Sequence, residues 1–189
     1  MLAGRFACVV DSCVIASAPK DFVLAFAKTG LFRLVLSEAI AGEYEHTLVK
    51  RFRDPPHKAA KVVNAVRLVF ADAMVDIPPP LLEGITLPDN GDRHVVAAAL
   101  VGKASAIVTT NLKDFPAEVC DGFELEVIHP DAFIVNIIDL DEVRAAAAIR
   151  EMRGRWRNPP RGAAALIAMM DRKGLAQTAQ RLVHIVDSI

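Results

Sequence analysis

Four short, almost wholly apolar runs set the strongest limit on how this chain can fold: Phe6–Val10, Phe32–Leu36, Ala106–Thr109 and Leu125–Ile128. None alternates polar with apolar residues along its length. A strand buried on both faces reads this way, and parallel sheets bury both faces. Between the runs lie segments of helical character. These are Asp21–Lys28, Glu38–Phe52 with Ile40, Tyr44 and Leu48 four residues apart, His57–Ala71 with Val62, Val66, Val69 and Phe70 on one side, and Asp92–Val101. A further short strand is expected at Met74–Ile77, stopped by Pro78-Pro79-Pro80. Strands alternating with helices predict an α/β fold around a mostly parallel sheet. Sites in such sheets lie beyond the carboxyl ends of the strands. After about Asp139 the texture changes to helix alone, at Asp141–Arg153, Ala163–Arg172 and Leu175–Val186. The expected division is an α/β domain over 1–138 and an all-helical C-terminal extension over 139–189, whose apolar faces need something to pack against.

Composition excludes several classes. With 53% hydrophobic and 24% charged residues, the chain buries enough apolar surface to escape disorder. Its longest apolar stretches, Val95–Gly102 and Ala104–Thr110, are separated by Lys103. They fall short of the roughly 18 uncharged residues of a membrane span. The first apolar run is too short for a secretion signal, and Asp11 ends it. Cys8, Cys13 and Cys120 lack metal-ligand spacing and read as free thiols in a cytoplasmic protein, with Cys8 in the core. The net charge of −1 gives no pointer to nucleic acid.

Three acids stand where the sheet logic places a site. Asp11 directly follows the first strand, Asp92 opens the helix leading into Ala106–Thr109, and Asp114 lies just past that strand. Glu43 is a further candidate; Glu38 and Glu45 share its helix, and spacing does not choose among them. Carboxylates converging on one sheet edge repel one another unless a cation sits among them. Hard oxygen donors suit Mg2+ or Mn2+, and such an ion holds phosphate oxygens and activates water in phosphodiester cleavage. Structural duties compete for some of these residues. Asp92 is also a candidate N-cap, Asp89 belongs to the Pro88-Asp89-Asn90-Gly91 turn, and Asp114 is a candidate turn residue ahead of Pro116. Asp11 has few such duties.

Four blocks then come together: Val9-Val10-Asp11-Ser12; Leu36-Ser37-Glu38 with Glu43-Tyr44; Pro88-Asp89-Asn90-Gly91-Asp92-Arg93-His94-Val95 followed by Ala97-Ala98-Ala99; and Ile107-Val108-Thr109-Thr110-Asn111-Leu112-Lys113-Asp114-Phe115-Pro116. In this order, over roughly 5–135, the chain resembles the PIN domain nucleases, especially the VapC-like toxin branch of toxin–antitoxin systems. The resemblance implies a three-layer α/β/α fold and a Mg2+- or Mn2+-dependent endoribonuclease. It implies that Asp11, Glu43 and Asp92 are metal-binding acids, and so selects Glu43. For the fourth position Asn111 and Asp114 compete. Asp114 is taken as the acid and Asn111 as a neutral ligand or substrate-positioning group, with Thr109 and Asp89 in support. A small cognate antitoxin is the implied partner. The chain departs from the family's Asp-x-Asn, having Asp11-Ser12-Cys13, which removes a polar group beside the first acid. Its helical C-terminal part resembles the accessory segment of a longer subset of these proteins.

RNA must also be held by its phosphates. Two stretches, 50–67 and 144–161, carry more than half of the 22 lysines and arginines. Arg51, Arg53, Arg93, Arg153, Arg155 and Arg157 are the candidate RNA contacts, with Trp156 placed to stack on a base. The bland reading of both stretches is a solvated helix face. A homodimer is expected from the apolar surface of so hydrophobic a chain. The rival reading is a PIN-like module that grips RNA or a partner and cleaves weakly, motivated by Cys13. A phosphatase with Asp11 as nucleophile wants a second acid where Cys13 stands. A dinucleotide enzyme wants a Gly-x-Gly-x-x-Gly turn that is absent after the first strand.

Overall fold

The computed structural model describes residues 6–156 and 162–189. Five strands form one sheet: β1 (Ala7–Val10), β2 (Arg33–Ser37), β3 (Met74–Val75), β4 (Ala106–Val108) and β5 (Glu126–Ile128). Their order is β3-β2-β1-β4-β5, and every neighbouring pair is parallel. The central strand β1 pairs Cys8 with Leu34 on one side and with Ala106 on the other. All four of its residues are buried. This is what the middle layer of an α/β/α arrangement requires, and it explains why the sequence runs are apolar throughout.

The helices are α1 (Ser12–Ile15), α2 (Lys20–Lys28), α3 (Glu38–Lys50), α4 (Pro56–Val69), α5 (Pro79–Glu83), α6 (Arg93–Val101), α7 (Ala117–Cys120), α8 (Pro130–Leu140), α9 (Glu142–Gly154), α10 (Ala163–Arg172) and α11 (Ala176–His184). Two compact units are present: residues 6–16 with Arg33–Ile128, and Ser17–Phe32 with His129–Ile189. The first holds the sheet, α1 and α3–α7. The second holds α2 and α8–α11.

In the sheet unit the chain runs outward from β1 to β2 and β3, then crosses back to β4 and β5 on the other side of β1. The order therefore reverses between β1 and β4. A crevice opens at the carboxyl ends of strands where such a reversal occurs. Asp11 leaves β1 at this point, its N–H bonded to the Val108 carbonyl at 3.0 Å. Ser37 ends β2 and caps α3, its hydroxyl accepting from the Ile40 N–H, as a serine before an amphipathic run does. α6 approaches the sheet closely at its last turn. A Cβ on Gly102 would lie 2.5 Å from Val35 Cγ1 and 2.9 Å from the Ala98 carbonyl, so only glycine fits. The face expected for α4 is corrected. Ala59 and Val63 are buried, whereas Val62 and Val69 are 40% and 60% exposed.

In the helical unit, α2 packs on α9. Lys28 pairs with Glu151 at 3.2 Å, and Arg144 Nη2 donates to the Thr29 carbonyl at 2.6 Å. Phe32 meets Phe133 of α8 edge-on at 5.0 Å between ring centres. Buried Asp131 caps α11 from a distance in sequence. Its two carboxylate oxygens accept from the Gln177 N–H at 3.0 Å and the Thr178 N–H at 2.8 Å. Among the described residues no helix is long and apolar enough to cross a membrane.

Candidate functional site

Asp11 stands at the N-cap position of α1, yet its carboxylate makes no capping bond. It is 4% exposed and is held from three sides instead. Thr109 Oγ1 donates to Oδ2 at 2.7 Å, Cys13 Sγ donates to the same oxygen at 3.0 Å, and Ser12 Oγ donates to Oδ1 at 3.2 Å. Thr110 Oγ1 in turn donates to Cys13 Sγ at 3.0 Å. The sequence departure at Cys13 thus leaves the first acid with a donor at that position. Burial, and then the charge of Asp11, pushes the Cys13 thiol up. It is therefore kept protonated, the form that donates.

Asp92 likewise occupies the N-cap position of α6 without a side-chain cap bond. Its carboxylate is therefore available to the site. Burial, followed by the charges of Asp11, Asp89, Asp114 and Glu43, pushes Asp92 up to about 6. Four carboxylates thus act on Asp92. Asp89 has a second duty, accepting from the Gly91 N–H at 2.7 Å in the turn the sequence indicated. Among the described residues, no ion pair joins Asp11, Asp89, Asp92 or Asp114 to a lysine or arginine.

Of the glutamates on α3, Glu38 is taken up by Arg67, whose Nη2 lies 2.7 Å from it. Glu43 faces His94, with Oε2 and Nε2 3.5 Å apart. His94 is buried on the first turn of α6, and its Nδ1 lies 2.7 Å from the Gly91 carbonyl, to which Nδ1–H donates. Burial opposes charge on both partners, but their mutual attraction wins. The Glu43 carboxyl sits below its ordinary value, and the His94 imidazole sits above its own. Sequence reasoning quoted His94 within a motif and gave it no role. The available signal was its place two residues after Asp92, on the helix turn that carries the acid.

Thr109 is fully buried and also accepts from the Asn111 N–H at 3.0 Å, which shapes the turn after β4. The Asn111 side chain is exposed and does not cap the turn that follows it, while Asp114 lies half-buried at the end of that 3-10 turn, Leu112–Asp114. Asp114, not Asn111, contributes charge at Asp92. Among the described residues no three His, Cys, Asp or Glu side chains lie close enough together to hold a metal ion. The other acids act on Asp92 without forming a coordination sphere.

The candidate RNA contacts separate. Arg93 is half-buried beside Asp92 and its Nε lacks a partner. Arg51 and Arg53 are exposed. Arg153 Nη2 donates to the Ile189 carbonyl at 2.9 Å, and Arg155 pairs with Glu151 on its own helix. Trp156 is half-buried. Arg157 lies outside the described residues. Cys8 and Cys120 are buried free thiols, and burial, then Glu126, pushes Cys8 up to about 12.

A parallel α/β sheet with carboxylates gathered where its strand order reverses defines an acid-site α/β protein. The comparisons are more particular. A PIN domain profile matches residues 7–113, and the chain belongs to that family. A second profile, the VapC50 C-terminal domain, matches residues 130–184. The VapC-like character and the accessory C-terminal part expected from the sequence are thereby borne out. A curated relative from Mycobacterium tuberculosis, "Putative ribonuclease VapC50", is 42% identical over 69 residues, 36% of this chain and 41% of the relative. The match thus spans less than half the length of that relative. No solved structure matches the chain.

Proposed function

We propose that this chain is a divalent-metal-dependent endoribonuclease and the toxin of a toxin–antitoxin pair. The observation that carries the reading is that Asp11, Asp89, Asp114 and Glu43 all act on Asp92 beside the switch point of a PIN domain, with no lysine or arginine paired to Asp11, Asp89, Asp92 or Asp114 among the described residues. The name of the VapC50 relative supports RNA as the substrate.

The donor set fits a hard divalent ion, being all oxygen and strongly acidic. Asp11, Glu43, Asp92 and Asp114 would hold it. A bound Mg2+ or Mn2+ supplies Lewis acidity, activating the attacking water and neutralising charge on the leaving oxygen. The chain's own part is orientation. Thr109 and Cys13 fix one oxygen of Asp11, His94 fixes Glu43, and the free N-cap geometry of α6 presents Asp92. Asn111, exposed after β4, is available to position the scissile region.

The weak-module alternative rested on Cys13. The bond from Cys13 Sγ to Asp11 Oδ2 favours the enzyme. A small antitoxin remains the proposed partner. A homodimer is supported by exposed apolar residues on α4, among them Leu68 at 82% and Val69 at 60%. The deciding experiment incubates total and transfer RNA with the full chain, with and without Mg2+ or Mn2+. Cleavage should require the ion and fall at least about a hundredfold in Asp11→Asn and Asp92→Asn, beyond the loss expected from an outer-shell change. Ion-independent cleavage, or full activity in Asp11→Asn, would remove the metal-site assignment.

A further inference from the structure

The two basic stretches of the sequence are not equivalent in the structure. In 144–161, Arg144, Arg153 and Arg155 are spent on Thr29, Ile189 and Glu151 within the helical unit. Arg150 there is exposed, and in 50–67 Arg67 is taken up by Glu38, but the other five cations of 50–67 are left open. Lys50, Arg51, Arg53, Lys58 and Lys61 are all exposed. Among the described residues none of the five enters an ion pair. Asp54, half-buried, is the only acid in the stretch.

At the centre of these cations stands an aromatic ring. Phe52 is 50% exposed, and the Arg51 guanidinium lies 5.9 Å from its centroid. The loop is held in place. Arg51 and Phe52 N–H groups bond back to the Thr47 carbonyl at 2.9 and 3.4 Å, and the Asp54 N–H bonds to the Leu48 carbonyl at 3.0 Å. Arg53 takes a left-handed φ of 57°, a conformation a non-glycine residue adopts at a strain cost. The loop ends α3, the helix that carries Glu43. Seven residues at 1.5 Å rise put Lys50 roughly 10 Å from Glu43 along the helix axis.

We propose that the α3–α4 loop is a single-strand clamp, in which Phe52, backed by Arg51, stacks one unpaired base of RNA while Arg51, Arg53 and the neighbouring lysines hold the flanking phosphates. This rests on RNA being the substrate. An exposed ring serves a base only when that base is unstacked, so the surface selects single strands over duplex. Cations without acidic partners are what phosphate neutralisation requires. A glutamate-rich peptide would meet the cations but leave the ring without a planar partner.

The test measures fluorescence anisotropy of a dye-labelled, unstructured single-stranded RNA with the full chain in EDTA, so that binding is read without cleavage. Phe52→Leu should weaken binding roughly tenfold and leave the salt slope unchanged. Arg51→Gln/Arg53→Gln should weaken binding and flatten the slope of log affinity against log salt by about 0.7 per lost contact. Arg181→Gln, which removes an arginine already paired with Asp139 and Glu142, should match wild type. The proposal is overturned if Phe52→Leu/Arg51→Gln/Arg53→Gln binds RNA as wild type does. It is also overturned if a glutamate-rich peptide binds as tightly as RNA with the same dependence on Phe52. Retained cleavage with an unaffected triple variant sinks the clamp and spares the ribonuclease. RNA bound through Phe52 but never cleaved does the reverse.

Discussion

Thr109 Oγ1, at the end of β4, donates to Asp11 Oδ2 at the end of β1 across 2.7 Å. Two neighbouring strands of the sheet are thus joined at their carboxyl tips through a carboxylate. Cys13 Sγ shares the same oxygen. Removing the thiol donor should loosen Asp11 without removing it. Cys13→Ala is expected to weaken Mn2+ binding about 10–100-fold by calorimetric titration. Cys13→Asn, which supplies an N–H donor, should recover most of it. Equal affinity in wild type and Cys13→Ala would mean the sulfur is packing only.

The raised Asp92 carboxyl makes a pH prediction with a fixed sign. Its folded value, about 6, lies above the unpaired value of 3.8, so the folded state binds this proton more tightly. The stabilising contribution is complete below about pH 4 and is lost as pH rises through about 6. In the metal-free protein, the Tm of wild type relative to Asp92→Asn should therefore fall across that window. Saturating Mn2+, which favours the ionised carboxylate, should shrink or reverse the trend. A flat difference without metal would show that neither burial nor the other acids raise the Asp92 carboxyl.

His94 acts through Glu43. His94→Ala should weaken Mn2+ binding by about tenfold or more and lower kcat more than it raises KM, since the substrate is not touched. His94→Gln, which keeps a donor, should restore part of the affinity. A merely structural role would lower Tm in His94→Ala while leaving the Mn2+ titration unchanged.

Asp131 is the cap of a helix 45 residues further along the chain. Asp131→Ala leaves the first N–H groups of α11 unmet in a buried setting, and should cost about 2–3 kcal/mol. Urea unfolding followed by Trp156, the single tryptophan of the chain, would read this as a lower midpoint. An unchanged midpoint would show that water replaces the carboxylate without loss.

The strands were legible because burial on both faces leaves no room for alternation, and β1 and β4 carry that mark without exception. Asp11 and Asp92 were legible because parallel topology sends strand ends and helix starts to one edge. Spacing did not choose Glu43 over Glu38 and only the family resemblance did, because what separates them is Arg67 and His94, which pair with them from other helices. The helix α8 went unseen for a different reason. Its residues are apolar almost all round, from Ala132 to Ile138, so no periodic contrast marks it. Only Pro130 at its first turn signals a start. The two basic stretches looked alike in sequence, since the partners that occupy Arg144 and Arg153, at Thr29 and Ile189, are more than 30 residues away.

Gly102 ends the helix that Asp92 begins. At its far end α6 touches Val35 with no room for a single methyl. A side chain at 102 would work as a shim, wedging the helix off the sheet and tilting its other end roughly 15 Å away. The position of a carboxylate is thereby gauged from the opposite tip of a rigid rod, and a substitution that changes no charge and meets no substrate would still put the acids out of alignment.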